Sequence, residues 1–333
     1  MLRRRGVLAL LLAASAASMR PQAAVPASHF RIVEAGPGCY AAIATPGDRL
    51  SIGNAGFVIG SESILVVDTF ATEEAARDLF AGIRRLSALP IRWVVNTHSH
   101  LDHVGGDAVF QREGAAILAH QNALRFARSE NLKWRKEITP GDRALSDALV
   151  LPEITPSSGM TLWLGDRTAR VLILPGHTGG DVIVRVESSD VVYAGDLFWN
   201  ATVPNLIDAD TAASIATLEK FIGDFPAAAF VPGHGEPGRA LQVRFFRDYL
   251  TGMRQAAARA IEAGLSGPSL AAAGIDALRP RYGSWAWFDR FAAANLEQTE
   301  RELRGTRKFV KRERDGGSPL RRKDHARDNQ EFP

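Results

Sequence analysis

The sequence predicts an α+β protein whose two similar halves form a four-layer αββα sandwich. Short β-rich runs alternate with helical patterns along the chain. Residues 60–68 and 187–196 share one layout, in which a turn leads into a strand that ends in aspartate. In each half another strand runs into a turn that carries histidine. Two such halves bury their apolar strands best when the sheets pack face to face with the helices outside.

The elements follow one another in a regular order. Runs of β-branched and aromatic residues predict strands, and apolar residues three or four positions apart predict helices. In the first half we expect strands at 50–60, 63–68, 91–96 and 115–119 and helices at 73–86, 105–112 and 121–131. In the second half we expect strands at 160–164, 168–174, 182–186, 191–194 and 229–231 and helices at 211–225, 241–263 and 287–304.

The charge of the chain is concentrated at its ends. The 333 residues are 46% hydrophobic, which is enough for a large core and excludes disorder over most of the length. Residues 1–27 hold four arginines and no acidic residue, and residues 305–333 hold nine basic and five acidic residues. Because the formal net charge is only +3, the segment between them is net negative. We therefore do not expect nucleic acid as a partner.

These charges divide the chain into three parts. Residues 1–27 are predicted to be a signal peptide, because Arg3 to Arg5 precede an apolar run that is shorter than the about 20 residues of a membrane-spanning helix. We expect a periplasmic or secreted protein with no stable membrane insertion after signal removal; an uncleaved anchor is the alternative, and the export route stays open. Residues 28–304 are the folded domain, and residues 305–333 are predicted to be a charged, disordered tail.

One short motif predicts a metal site. Three of the eight histidines fall within six residues, in the sequence His98-Ser-His100-Leu-Asp102-His103. The motif leaves a predicted strand, so His98 and His100 can converge on one ion while Asp102 and His103 turn toward another. Because Cys39 is the single cysteine, an internal disulfide and a cysteine-rich metal site are excluded.

Three more turns offer further ligands, since two ions need more than four. His177 lies in Pro-Gly-His-Thr-Gly-Gly-Asp, Asp196 in Ala-Gly-Asp-Leu, and His234 in Pro-Gly-His-Gly. Each follows an apolar strand and stands beside glycine, where the backbone can turn sharply and aim a side chain at a shared point. The sequence therefore predicts a centre of imidazoles and carboxylates.

In this order, over residues 28–250, the motifs resemble those of the metallo-β-lactamase superfamily of hydrolases. The resemblance implies the αββα fold and two zinc ions. The implied ligands are His98, His100 and His177 on the first ion, Asp102, His103 and His234 on the second, and Asp196 bridging both. Asp68 resembles the family carboxylate that orients a ligand without binding metal; its alternative role is the N-cap of the helix that begins at Glu73.

The resemblance also implies a reaction. Two zinc ions would hold a bridging hydroxide that attacks a carbonyl, ester, thioester or lactam-like small molecule, with Asp102 relaying the proton. The best-known zinc lactamases have cysteine at the position resembling Asp196, so β-lactamase activity stays open but is not favoured. Around Asp196 the sequence resembles exported members near quinoprotein and sulfur-oxidation systems.

Two other functions stay open from the sequence. The same ligands can hold iron, as in a mononuclear iron sulfur dioxygenase, or the centre can persist in a non-catalytic metal-binding protein. Metal analysis separates these functions, because zinc near two ions per chain contrasts with one iron. The substrate and the oligomeric state cannot be read from the sequence.

Overall fold

The computed structural model describes residues 29–128 and 149–307. The predicted signal peptide and almost all of the predicted tail lie outside the described residues, as does much of the segment between the two halves. Two sheets stack against each other and helices pack on their outer faces. The predicted αββα sandwich is confirmed.

The first sheet has six strands in chain order. They are β1 (Phe30–Gly36), β2 (Cys39–Ala44), β3 (Ala55–Ile59), β4 (Ile64–Val67), β5 (Ile91–Val95) and β6 (Ala116–Leu118). The first four pair antiparallel, whereas β4, β5 and β6 run parallel. Its helices are α1 (Glu73–Leu86), α2 (Leu101–Val104), α3 (Asp107–Arg112) and α4 (Gln121–Phe126).

The second sheet has five strands, in the order β11-β10-β9-β8-β7. They are β7 (Met160–Trp163), β8 (Thr168–Ile173), β9 (Val182–Val186), β10 (Val191–Trp199) and β11 (Ala229–His234). Only β10 and β11 pair in parallel. The helices of this half are α5 (Thr211–Asp224), α6 (Ala240–Glu262), α7 (Gly267–Tyr282) and α8 (Phe288–Leu303). Among the described helices, none is long and apolar enough to cross a membrane.

Three apolar layers hold the sandwich together. The middle layer lies between the sheets and is built mainly from valine, leucine and alanine of both. One outer layer packs α1 and α3 on the first sheet, and the other packs α5 to α8 on the second. Each strand of the interior is therefore covered on both faces, which explains why every residue of β4 and β10 is buried, without alternation.

Some elements differ from the sequence prediction. Strands β1 and β2 and helix α7 were not predicted. Ser266 is the N-cap of α7, proline lies in the first turn, the helix has little amphipathic character, and Gly274 packs closely on Leu296. Strand β10 was predicted to end at Ala194 but continues to Trp199. Its pairing with β11 shifts register at Gly195, whose φ is +50°, so the strand bends and then resumes.

The ends of four strands meet at one edge of the sandwich. In the first sheet the chain leaves β4 at Asp68 and leaves β5 toward His98. In the second sheet β10 carries Asp196 near its end, and β11 ends at His234. Because these strand ends face one another between the sheets, residues distant in sequence come together there.

Tyr193 ties the two sheets together and provides a test of the packing. Its buried hydroxyl, on β10, lies 3.1 Å from the carbonyl oxygen of Tyr40 and 2.9 Å from that of Phe57. Tyr193→Phe should lower the free energy of unfolding by about 1–2 kcal/mol in a urea titration. Tyr40→Phe, the same change at a half-buried ring, should stay within about 0.5 kcal/mol of the wild type. An equal loss of unfolding free energy in the two variants would show that the inter-sheet hydrogen bond of Tyr193 adds no stability.

Candidate metal centre

Helix α2 sets the directions of the side chains in the His98–His103 motif. The chain leaves β5 with the backbone N–H of Asn96 donating to the carbonyl of Leu118, 2.8 Å away. It then turns at His98 and enters α2, which carries Asp102 and His103. The change from extended strand to helix splits the motif, because His98 and His103 then point to different sides of one buried carboxylate.

The first group of side chains is His98, His100, His177 and Asp196, whose ligand atoms lie within 4.8 Å of one another. His177 comes from the loop between β8 and β9, and its Nε2 lies 3.0 Å from His100 Nδ1 and 3.1 Å from Asp196 Oδ2. His98 Nε2 lies 3.7 Å from the same carboxylate oxygen. The structure thus brings together the residues that the resemblance assigned to the first ion.

The second group is Asp102, His103 and His234. His234 Nε2 lies 3.3 Å from Asp102 Oδ2 and 3.5 Å from Asp196 Oδ1. His103 Nε2 lies 3.2 Å from Asp196 Oδ1 and 3.6 Å from Asp102 Oδ2. These are the residues that the resemblance assigned to the second ion, and Asp196 faces both groups.

Asp196 occupies the centre of the site. Its Oδ2 faces His98 and His177, and its Oδ1 faces His103 and His234. The sequence placed Asp196 in a loop, but it lies inside β10, beyond the bend at Gly195. A side chain on Gly233 of β11 would put its Cβ 1.8 Å from Asp196 Oδ1, so only glycine leaves room for this carboxylate.

Several buried polar atoms of the site have no regular hydrogen-bond partner among the described residues. Four of them are the Nε2 atoms of His98, His103 and His234 and the Oδ1 atom of Asp196, and a fifth is His177 Nδ1. Buried polar atoms without partners are costly, and the first four face one another. A metal ion accepts lone pairs from both imidazole nitrogens and carboxylate oxygens. The residues therefore fit a metal, and the cluster indicates a metal cofactor.

The charged groups of the site interact strongly. Burial alone would lower the pKa of His100, His103 and His234, but neighbouring carboxylates raise it, so a metal ion competes with protons for these rings. Burial alone would raise the pKa of Asp196, but the facing imidazoles of His103 and His234 hold it well below its usual value. Burial and neighbouring imidazoles lower the pKa of His98 well below its usual value, which keeps that ring neutral. A deprotonated carboxylate and a neutral imidazole are the forms that bind metal.

Asp68 supports His103 from behind. Its Oδ2 lies 3.0 Å from His103 Nδ1 and accepts from the Thr97 hydroxyl at 2.8 Å, while its Oδ1 accepts from the Thr97 backbone N–H at 2.7 Å. The alternative role as helix N-cap is wrong, because Thr72 caps α1 by accepting from the Ala75 backbone N–H. The φ of Asp68 is 57°, an uncommon conformation that aims its carboxylate at His103.

Asp208 supports His100 in the same way and was missed as a functional residue by the sequence analysis. Its Oδ2 lies 3.0 Å from His100 Nε2, so Nδ1 is the atom that His100 turns toward His177. The only sequence signal was its place in Asp208-Ala-Asp210, shortly after β10. Asp210 also caps α5, accepting from the Ala213 backbone N–H.

The loop that carries Asp208 is held by the C-terminal part of the chain. Asn295 of α8 accepts from the Leu206 backbone N–H and donates to the Pro204 carbonyl. Beyond α8, Arg307 donates to the carbonyl of Ile207 at 2.8 Å. Residues far along the chain therefore fix the position of the carboxylate that contacts His100.

Two further aspartates stabilise the site without entering it. Asp181 accepts from the backbone N–H of Thr178 and so closes the turn that carries His177. Asp107 accepts from Asn96 at 2.9 Å and from the hydroxyl of Thr69 at 2.8 Å. Burial raises the pKa of Asp107 to about 7. Sequence analysis identified the turn around Asp181 but gave no signal for Asp107.

Aromatic rings cover one side of the centre. The indole of Trp199 stacks on His234 with 3.9 Å between ring centroids, and Trp287 lies 5.2 Å from the same imidazole. His120 is outside both groups and caps α4 by accepting from the Asn122 backbone N–H. Cys39 is fully buried between the sheets. Neither His120 nor Cys39 belongs to the site.

Parts of this chain are similar in sequence to known proteins. The acyl-coenzyme A thioesterase of Bos taurus is 28% identical over 51% of this chain and 67% of its own length. The hydroxyacylglutathione hydrolase of Shewanella sp. (strain ANA-3) is 29% identical over 36% of this chain and 39% of its own. The chain thus spans between about two fifths and two thirds of these relatives.

A solved structure and a family model also match this chain. A metallo-beta-lactamase from Pontibacter korlensis has the same fold, with a TM-score of 0.56 over 67% of this chain and 99% of its own, at 19% identity. The family model described as metallo-beta-lactamase superfamily matches residues 48–234, which contain both groups of candidate ligands. The chain belongs to the metallo-beta-lactamase superfamily.

Proposed function

We propose that this protein is an exported binuclear zinc hydrolase acting on a small molecule with a carbonyl, ester, thioester or lactam-like bond. Membership of the superfamily and the hydrolases among its relatives support a metal-dependent hydrolase. The finer parts of the proposal are the two zinc ions, the export and the class of bond. Each has its own support and its own test.

The position of Asp196 carries the proposal of two ions. A carboxylate that served a single ion would have one group of imidazoles around it. Asp196 instead directs one oxygen to His98 and His177 and the other to His103 and His234. This arrangement supports a carboxylate that would bridge two ions, and the mixture of imidazole and carboxylate suits zinc.

Different residues of the protein would have different roles in the reaction. When bound, the metal ions lower the pKa of water and polarise the bond that is cleaved. Asp68 and Asp208 hold the rings of His103 and His100 in the orientation and tautomer that leave the other nitrogen free. Asp102 is the carboxylate that can exchange a proton with the substrate, because its side chain is 24% exposed whereas that of Asp196 is 3% exposed.

An ester or thioester is the favoured substrate within this class. The relative named as an acyl-coenzyme A thioesterase supports a thioester. An aspartate at position 196, where the best-known zinc lactamases have cysteine, makes a β-lactam less favoured. A panel of lactones, esters, thioesters and β-lactams on the zinc-loaded protein ranks these bonds directly.

The first test of this function is the metal content. Zinc-loaded wild-type protein should hold about two ions per chain, and Asp196→Ala should hold about one, because the first group keeps three imidazoles. Hydrolysis of the best substrate should fall by at least about 100-fold in this variant. Elemental analysis and initial rates give the two numbers, and Asp224→Ala, at an exposed carboxylate paired with Lys220, is the control.

Other outcomes decide between the alternatives. Two tightly bound ions and near-normal turnover in Asp196→Ala would refute the bridging role. One iron per chain would favour an oxidative iron enzyme. Two zinc ions without hydrolysis of any bond in the panel would favour a metal-binding protein without turnover.

The second test measures how much Asp68 and Asp208, each of which orients one histidine, contribute to zinc binding. Asp68→Ala and Asp208→Ala should each weaken zinc binding about 10–100-fold, measured against a chromophoric chelator, because each leaves one imidazole without its orienting partner. Asp68→Asn and Asp208→Asn keep an acceptor oxygen and should lose less. Wild-type affinity in both alanine variants would contradict the supporting role.

The third test concerns export. The proposal follows from Arg4 and Arg5 ahead of a short apolar run, with small residues after it. Mass spectrometry of protein from the natural source should find a chain that lacks these residues in the extracytoplasmic fraction. An intact residue 1 in the cytosolic fraction would reject the proposal.

A further inference from the structure

Trp287 has an unusual backbone conformation for its side chain. Its φ is 64°, in the left-handed region that bulky residues rarely adopt. Glycine occupies this region without a steric penalty, so tryptophan here carries strain. Strained residues that persist in a fold concentrate at functional sites.

Backbone pairing holds Trp287 beside the metal centre. The neighbouring Ala286 donates to the carbonyl of Ala201 at 3.1 Å and accepts from the Val203 backbone N–H at 2.8 Å. The segment before α8 is thereby fixed to the chain that has just left β10. The left-handed turn at Trp287 then starts α8 and directs the indole back toward β11.

The indole contacts the centre from the side of His234. Its ring centroid lies 5.2 Å from that of His234 and 5.8 Å from that of Trp199, which stacks on the same imidazole. Trp199 is buried, but Trp287 is only partly buried. Arg290 lies over the Trp287 ring, with its Cζ 5.7 Å from the centroid, and restricts its movement.

The fold alone does not account for this arrangement. Trp199 already packs against His234 from the core, so the centre has its apolar support without Trp287. A partly exposed tryptophan leaves apolar surface in contact with water, and its strained backbone conformation lowers the stability of the fold. Trp287 also lies outside residues 48–234, the region that the family model matches. It is therefore a feature of this chain's own C-terminal part.

We propose that Trp287 forms the wall of a subsite that binds an apolar, preferably aromatic, group of the substrate next to His234. An indole beside a metal centre suits such a group, because aromatic rings combine a large contact area with defined stacking geometry. That the bound group belongs to a hydrolysed substrate rests on the proposed function. That an apolar group binds here rests on the contacts of Trp287 alone.

The test compares two carboxylates that differ in their apolar part, acetate and phenylacetate. Binding is measured by titration calorimetry on the apoprotein and on the zinc-loaded full chain. Wild-type protein should bind phenylacetate at least about tenfold more tightly than acetate, because the ring buries apolar surface against the indole. Trp287→Gly removes the indole and the strain together, and should reduce this ratio to below about threefold.

Matched variants separate binding from packing. Trp285→Phe changes a tryptophan that packs on Tyr249 and Tyr282, away from the centre, and should keep the wild-type ratio. Trp287→Phe should keep part of it, and Trp287→Leu serves if the glycine variant does not fold. A residue with only a structural role would change the unfolding temperature of its variants and leave the ratio as it is.

The outcomes also separate this inference from the proposed function. A wild-type ratio near one, or a ratio unchanged in Trp287→Gly and Trp287→Leu, overturns the subsite even if the enzyme cleaves esters. Loss of the ratio in a protein that hydrolyses nothing supports the subsite and rejects the hydrolase.

Discussion

One buried carboxylate surrounded by imidazoles is the constraint on which the site depends. Asp196 is almost inaccessible to water, and rings from both sheets face its two oxygens. Burial opposes its charge, and the facing histidines stabilise it. The sandwich architecture satisfies this requirement, because two independent sheets can each deliver ligands to one line between them. The bend of β10 at Gly195 and the missing side chain at Gly233 provide the space.

Two further carboxylates support the histidines from the side away from Asp196. Asp68 and Asp208 each contact one histidine on the nitrogen away from Asp196. One comes from the end of a strand and the other from a loop held by α8, so the two groups of ligands have separate mechanical supports. The region that the family model matches, residues 48–234, is thereby combined with a C-terminal part that adds Asn295, Arg307 and the partly buried Trp287.

Sequence patterns predicted the parts of the structure that local chemistry determines. Helix α1 has the predicted bounds, 73–86, because its cap, its charged ends and its apolar stripe all agree. The two ligand groups were predictable because histidine and aspartate cluster beside glycine after strands. Asp208 and Asp107 were not, since an aspartate in a loop or a short helix has no local mark of its partner. Likewise, α7 lacks a clear apolar stripe, because small residues let it pack closely.

The bonds between α8 and the Asp208 loop have a consequence for how the molecule is made. The loop is about 90 residues earlier in the chain than Asn295 and Arg307, the residues that fix it. During synthesis the chain emerges from its N-terminal end, so the histidines leave the ribosome well before these anchors. The pocket around His100 is complete only after the last helix has docked. Full support of the centre thus comes late in synthesis, and a nascent chain cut short after β11 holds every candidate ligand and Asp208 but lacks Asn295 and Arg307, which fix the Asp208 loop.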